Sequence, residues 1–305
     1  MMALDLRDRI TSRLKNLVSA PLERGTRQAI TVAIASSKGG VGKTTTAVNL
    51  SVAYALKGFR VLLIDLDPQA HVAASLRSEI HSGHGSLTDV LTGKLREVRE
   101  VVRSSRWDNL DLAGSEKQLA ETETVLSAKI GKELILDGAL VATRTHYDLI
   151  IIDCPPNLGT LTLNALCAAD QLLVPTDMSV LALEGVGDIL SALDTLRTRL
   201  SRHVDLLGIL ATRIDRRATM VNNTIQQSMG DLYGNHMLQT SVPQCSALNK
   251  AHLAGKPIFE FARTSTGALA YAAIADELRP KLGLAPIVNE AAKIATARVT
   301  ANVRH

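Results

Sequence analysis

SSKGGVGKTTT, Ser36 to Thr46, follows directly on the apolar run Ile30 to Ala35. A short apolar run before a glycine-rich loop reads as a buried strand, and the residues after the loop as a helix. Such a loop points backbone N–H groups at phosphate oxygens. The helix N-terminus behind it adds the positive end of its dipole. Gly39, Gly40, Val41, Gly42, Lys43, Thr44 and Thr45 form the expected cradle for ATP. Lys43 is expected on the β- and γ-phosphates and Thr44 on Mg²⁺. A second lysine, Lys38, stands inside the same loop. One lysine cradles a phosphate; two point to a variant loop and a different use of ATP.

Outward from the loop, apolar strands alternate with helical patterns. Strands are expected at Val61–Asp65, Leu149–Asp153, Leu172–Pro175 and Leu206–Thr212, with a brief one at Leu110–Ala113 and a weaker one at Met237–Val242. Helices are expected over 43–57, 87–91, 121–142, 182–200, 219–233 and 267–278, and a loop-rich stretch over 71–86. Wholly apolar strands alternating with helices mean a mostly parallel sheet covered on both faces. The expected fold is α/β, a single P-loop NTPase domain over residues 29–282. Residues 1–28 are expected to form an amphipathic extension, with Leu6, Ile10, Leu14 and Leu17 at helical spacing, and 283–305 an Ala-rich tail.

Parallel sheets bind ligands at the carboxyl ends of their strands. Three acids stand there. Asp153 ends LIIID, the form of a Walker B strand, and is expected to help hold Mg²⁺. Asp65 and Asp67 lie in LLIDLDPQ. Two carboxylates beside a triphosphate repel it unless a cation or an ordered water lies between. Asp67 is therefore expected to orient or activate the attacking water, with Asp65 in outer-shell support. On the residues alone, Lys38 is equally compatible with a solvent-facing position.

Composition narrows the class. The 305 residues are 46% hydrophobic and only 3% aromatic, which argues against a stacking platform for single strands or RNA. The formal charge of +4 is a mild bias toward anionic partners. Cys154, Cys167 and Cys245 have no framework or metal-site spacing, and the expected compartment is the reducing cytoplasm. Met1 to Ala20 is too polar for a secretory signal.

KGGVGKTTTAVNL, LLIDLDPQA, DLIIIDCPPNLG and GKPIFEF, in this order, resemble the ParA/MinD family of deviant Walker A ATPases. The likeness is greatest to the ParA/Soj partition branch, through DLDPQ, LALEGV at Leu181–Val186 and VPQ…GKPI at Val242–Ile258. The resemblance implies an ATPase with weak basal turnover that dimerises on ATP. It implies that Lys38 crosses the dimer to the partner's nucleotide. It marks Thr212, Arg213, Pro243 and Gln244 as base-facing elements. It also implies nonspecific binding of double-stranded DNA, with Arg216, Arg217 and Lys250 as candidates. The expected partners are a second copy and a ParB-like or other cargo adaptor that stimulates hydrolysis, and the expected place is the nucleoid. Three departures stand out. Gln244 to Ala247 occupy a loop where the family commonly carries arginines, and Lys250 stands where it carries an acid. Asp177 also replaces a frequent Gln, and nothing in the sequence accounts for it. The runner-up is a MinD-like, membrane-associated regulator of division or flagellar placement. The tail NEAAKIATARVTANVRH lacks the bulky hydrophobes that membrane insertion needs, so a membrane partner is not expected.

Overall fold

The computed structural model describes residues 26–76, 85–215 and 227–286. Strands β1 (Ile30–Ile34), β2 (Val61–Asp65), β3 (Arg103–Ser104), β4 (Leu110–Ala113), β5 (Leu149–Asp153), β6 (Gln171–Asp177) and β7 (Asp205–Thr212) form one sheet. Their order is β3-β4-β2-β5-β1-β6-β7. Only the edge strand β3 runs antiparallel to its neighbour. The fold is thus a single α/β P-loop domain with a mostly parallel sheet between helices.

The period of two along each strand divides the core between the faces. Ala33, Ile150 and Ile152 face one side, where they pack with α3 (Leu87–Thr92), α4 (Gln118–Ser127), α5 (Ile135–Ala139), α6 (Thr160–Ala168) and α7 (Val180–Leu200). Val32, Ile34, Leu149 and Ile151 face the other, against α1 (Lys43–Leu56), α2 (His71–Leu76), α8 (Ser246–Leu253), α9 (Ile258–Phe261) and α10 (Thr266–Lys281). Helix α1 is buried along most of its length, so its polar residues need partners. Thr46 meets the Tyr271 hydroxyl at 3.1 Å, and the Asn49 amide oxygen accepts from the Ile258 N–H at 2.9 Å.

Three expectations from the sequence change. The stretch 121–142 is not one helix: it breaks at Gly131, whose φ of +68° is left-handed, into α4, a 3₁₀ turn at Lys132–Leu134 and α5. Residues 237–242 do not form a strand: isolated bridges join Ile209 to Met237 and, just past the segment, Ile214 to Pro243. The reason is local. The Glu277 carboxylate takes the Gln239 and Thr240 N–H groups at 2.7 and 2.9 Å, and Pro243 has none to give. The stretch 71–86, expected to be loop-rich, opens with helix α2. There the Val72 N–H in its first turn donates to the Asp65 carboxylate at 3.2 Å. The proposed N-terminal helix, most of the tail, and Arg216 and Arg217 lie outside the described residues.

Candidate functional site

The phosphate loop leaves β1 between its neighbours β5 and β6, where the strand order departs on both sides. Such a switch point opens a crevice at the carboxyl ends of the strands. Gly40 (φ +75°) and Gly42 (φ +90°) take left-handed conformations that a side chain would strain. Gly42 is the N-cap of α1, so the helix begins with Lys43 and aims its dipole at the loop. Thr44 and Thr45 are half-buried in its first turn.

Lys43 is only 6% exposed, and its Nζ donates to the Lys38 carbonyl at 2.9 Å. Burial pulls its pKa down, against the opposing pull of Asp153, Cys154 and Asp67. The carboxylates come from adjacent strands. Asp65 and Asp153 are register partners at the ends of β2 and β5, and both are fully buried. Burial pushes Asp153 up to about 7; the nearby Thr44 hydroxyl pulls it down, Asp67 raises it and Lys43 lowers it. Neither Asp153 oxygen has a hydrogen-bond partner of good geometry; the Thr44 hydroxyl is close enough to act on its charge without forming a well-aligned bond. Asp65 is raised by burial first and by Asp153 second. Its oxygens accept from the Asp67 N–H at 3.0 Å and the Val72 N–H at 3.2 Å. Asp67 lies in the turn beyond the strand, 7% exposed, and accepts from the Gln69 N–H at 3.0 Å.

Two acids and a lysine are thus gathered in a low-dielectric crevice beside a phosphate cradle, and Asp67 stands at its margin. A buried carboxylate with unpartnered oxygens is the donor type that a hard divalent cation takes. Asp153, beside Thr44, therefore fits Mg²⁺, and the loop and Lys43 fit a triphosphate.

The remaining predicted residues fall into two groups. Thr212, at the end of β7, is buried, and its hydroxyl reaches the Val41 carbonyl at 2.7 Å and that of Thr176 at 3.1 Å. Arg213 has a left-handed φ of +55° and donates from Nη1 to the Gly40 carbonyl at 3.0 Å. Both side chains therefore grip the phosphate loop itself. Pro243 and Gln244 lie beside them: the Ile214 N–H donates to the Val242 carbonyl at 3.1 Å and the Gln244 N–H to the Ile214 carbonyl at 3.0 Å. Lys250 is exposed on α8, away from the carboxylates in the sequence and in a different element. Lys38 turns to Asp177 and Ser179 of its own chain. The sequence marked Asp177 only as an oddity; its pairing with Lys38, across 139 positions of chain, had no local signal. Cys154 is buried with its thiol pushed up by burial.

The family described as AAA domain matches residues 29–206. The sporulation initiation inhibitor protein Soj of Bacillus subtilis is 36% identical over 81% of this chain and 97% of its own length. The chromosome-partitioning ATPase Soj of Thermus thermophilus is 37% identical over 82% of this chain and 96% of its own. The chain belongs to the ParA/Soj/MinD family of deviant Walker A P-loop ATPases. Its general function is of the ParA/MinD type, an ATP-driven positioning or partition ATPase. The ParA-type fold is also that of a solved structure named cobyrinic acid a,c-diamide synthase from Mycobacterium smegmatis, with bound ATP analog and magnesium. That structure has a TM-score of 0.69 and 33% identity, covering 82% of this chain and 95% of that one. In this ParA-type chain, no described helix is long and apolar enough to cross a membrane.

Proposed function

We propose that two copies of this chain close around two molecules of ATP, that the closed dimer binds double-stranded DNA without sequence preference, and that a ParB-like or other cargo-bound adaptor ends the cycle by stimulating hydrolysis. The observation that carries the reading is the buried group Lys43, Asp65 and Asp153 at the foot of the phosphate loop, with Asp67 at its rim. A lysine and two carboxyl groups with this little solvent are costly to ionise unless a ligand uses their charge.

Lys43 exchanges its bond to the Lys38 carbonyl for phosphate oxygens. Thr44, with Asp153 beside it, is the site for Mg²⁺, which when bound offsets charge on the β- and γ-phosphates. Asp67 orients the attacking water and accepts its proton; Asp65 holds the Asp67 backbone in place through its 3.0 Å bond. Lys38 reaches the partner's nucleotide on closure. Thr212 and Arg213 fix the loop, and Pro243 and Gln244 border the base. DNA contact uses Lys250 together with Arg216 and Arg217. Contacts to phosphates alone supply affinity without sequence preference. The working place of such a cycle is the nucleoid within the cytoplasm.

The test is light scattering with Mg²⁺ and either ATP or ADP, followed by interferometry on unrelated duplexes at several salt concentrations. An ATP-dependent dimer that binds all duplexes about equally, and more weakly as salt rises, is expected. Replacing Arg216, Arg217 and Lys250 with Glu should remove the binding and leave ATP affinity intact. A protein that stays monomeric in ATP, or a dimer that ignores DNA at low salt but is retained on anionic vesicles, would overturn the proposal.

A further inference from the structure

Lys38 has three N–H donors, and all three are used inside its own subunit. Nζ lies 2.9 and 2.7 Å from the two Asp177 oxygens and 3.0 Å from Ser179 Oγ. Ser179 in turn donates to Asp177 Oδ1 at 2.8 Å, so the three side chains close a small network. Lys38 and Asp177 are 32% and 25% exposed, sheltered enough for charge-assisted bonds to hold their geometry. The network joins the phosphate loop to the junction between β6 and α7, since Asp177 ends the strand and Ser179 is the N-cap of the helix. A second tie runs in parallel, from Ser37 Oγ to the Gly185 carbonyl at 3.2 Å. Arg213, on the neighbouring strand end, adds positive charge beside Asp177. A lysine that must reach another subunit has to leave all three partners first.

We propose that Asp177, together with Ser179, is a positioning residue that stows Lys38 within its own subunit and so sets the ATP concentration at which two copies close. The inference rests on the proposed ATP dimer. Two latches open for each dimer formed, so the effect of one enters the dimerisation constant squared. A partly exposed ion pair of this kind is worth about five-fold, which makes about 25-fold for the pair of subunits. The same carboxylate recaptures the lysine once the nucleotide is spent, and thereby favours separation.

The experiment uses the full chain and Asp177→Asn, which keeps the shape and removes the charge, with Asp177→Glu as the conservative rescue. The first readout needs no nucleotide: competitive acetylation of lysines, read by mass spectrometry, with the exposed Lys117 as internal reference. Labelling of Lys38 relative to Lys117 should rise several-fold in Asp177→Asn and return toward wild type in Asp177→Glu. The second readout is the ATP midpoint of dimerisation by light scattering, which should fall in Asp177→Asn. Unchanged labelling overturns the latch whatever the dimer does. Raised labelling with an unchanged or higher ATP midpoint also overturns it, while leaving the ATP dimer intact. A wild-type protein that never dimerises in ATP overturns the functional reading and the latch together.

Discussion

Thr212→Val isolates the brace under the phosphate loop. The side chain is 2% exposed, and its hydroxyl lies 2.7 Å from the Val41 carbonyl and 3.1 Å from that of Thr176. One hydroxyl hydrogen serves one acceptor at a time, and the shorter contact marks Val41 as the main partner. Valine keeps the volume and the β-branch and removes only the bond. Stranding a buried carbonyl costs about 1–3 kcal/mol. At about 2–4 °C per kcal/mol for a domain of this size, melting in the absence of nucleotide should fall by roughly 2–12 °C. The Val41 carbonyl lies within the cradle, so a slack loop must be ordered again when ATP binds. A further 1.4 kcal/mol spent there is about ten-fold in affinity. Differential scanning fluorimetry and calorimetry with an ATP analogue check both, with Thr212→Ser as the control that keeps the hydroxyl. Wild-type melting together with wild-type affinity would refute the brace. Reduced affinity with unchanged melting would instead place Thr212 against the nucleotide.

The remaining predictions concern the reacting groups and pH. Lys43→Ala should abolish binding of ATP by calorimetry, and normal affinity would remove the phosphate loop from the site. Asp67→Ala should keep ATP and hold the dimer, with phosphate release down by about 100-fold or more; a dimer that decays at the wild-type rate in size-exclusion chromatography contradicts the role. Lys38→Ala should bind nucleotide as a monomer and fail to dimerise, and undiminished ATP-dependent scattering would show that the lysine never crosses. His252 stands 2.8 Å from Ser75 Oγ and edge-on to His71 at 6.0 Å, and burial followed by the charge of His71 pulls its pKa below 6.5. A lowered histidine pKa means that the fold favours the neutral ring. Its contribution is present above about pH 6.5 and is lost as pH falls toward the folded value. Melting should therefore drop between pH 7.5 and 5.5, and drop less in His252→Asn; equal slopes for the two proteins would exclude this contact as the cause.

Sequence alone determined those features whose cause is local. The apolar run, the glycines and GKTT announced strand, loop and helix because each has a short-range physical reason: buried strands are uniformly apolar, and left-handed φ values need glycine. The acids ending β2 and β5 were legible for the same reason, since an apolar run that closes on Asp marks a strand's carboxyl end. Gly58, with φ +92°, stands just past the end of α1 in the left-handed conformation that glycine permits, close to the expected end at 57. Tertiary structure decided whatever depended on a partner far along the chain. Glu277 withdrew two N–H groups from a segment that otherwise reads as a strand. Thr212 and Arg213 turned out to hold the loop, because β7 ends beside it only after β6 has been placed between β1 and β7. Asp177 was an unexplained acid until folding brought it to Lys38. Hydrogen bonds between residues more than a hundred positions apart leave no periodicity or spacing to read; only the packed sheet brings their atoms within reach.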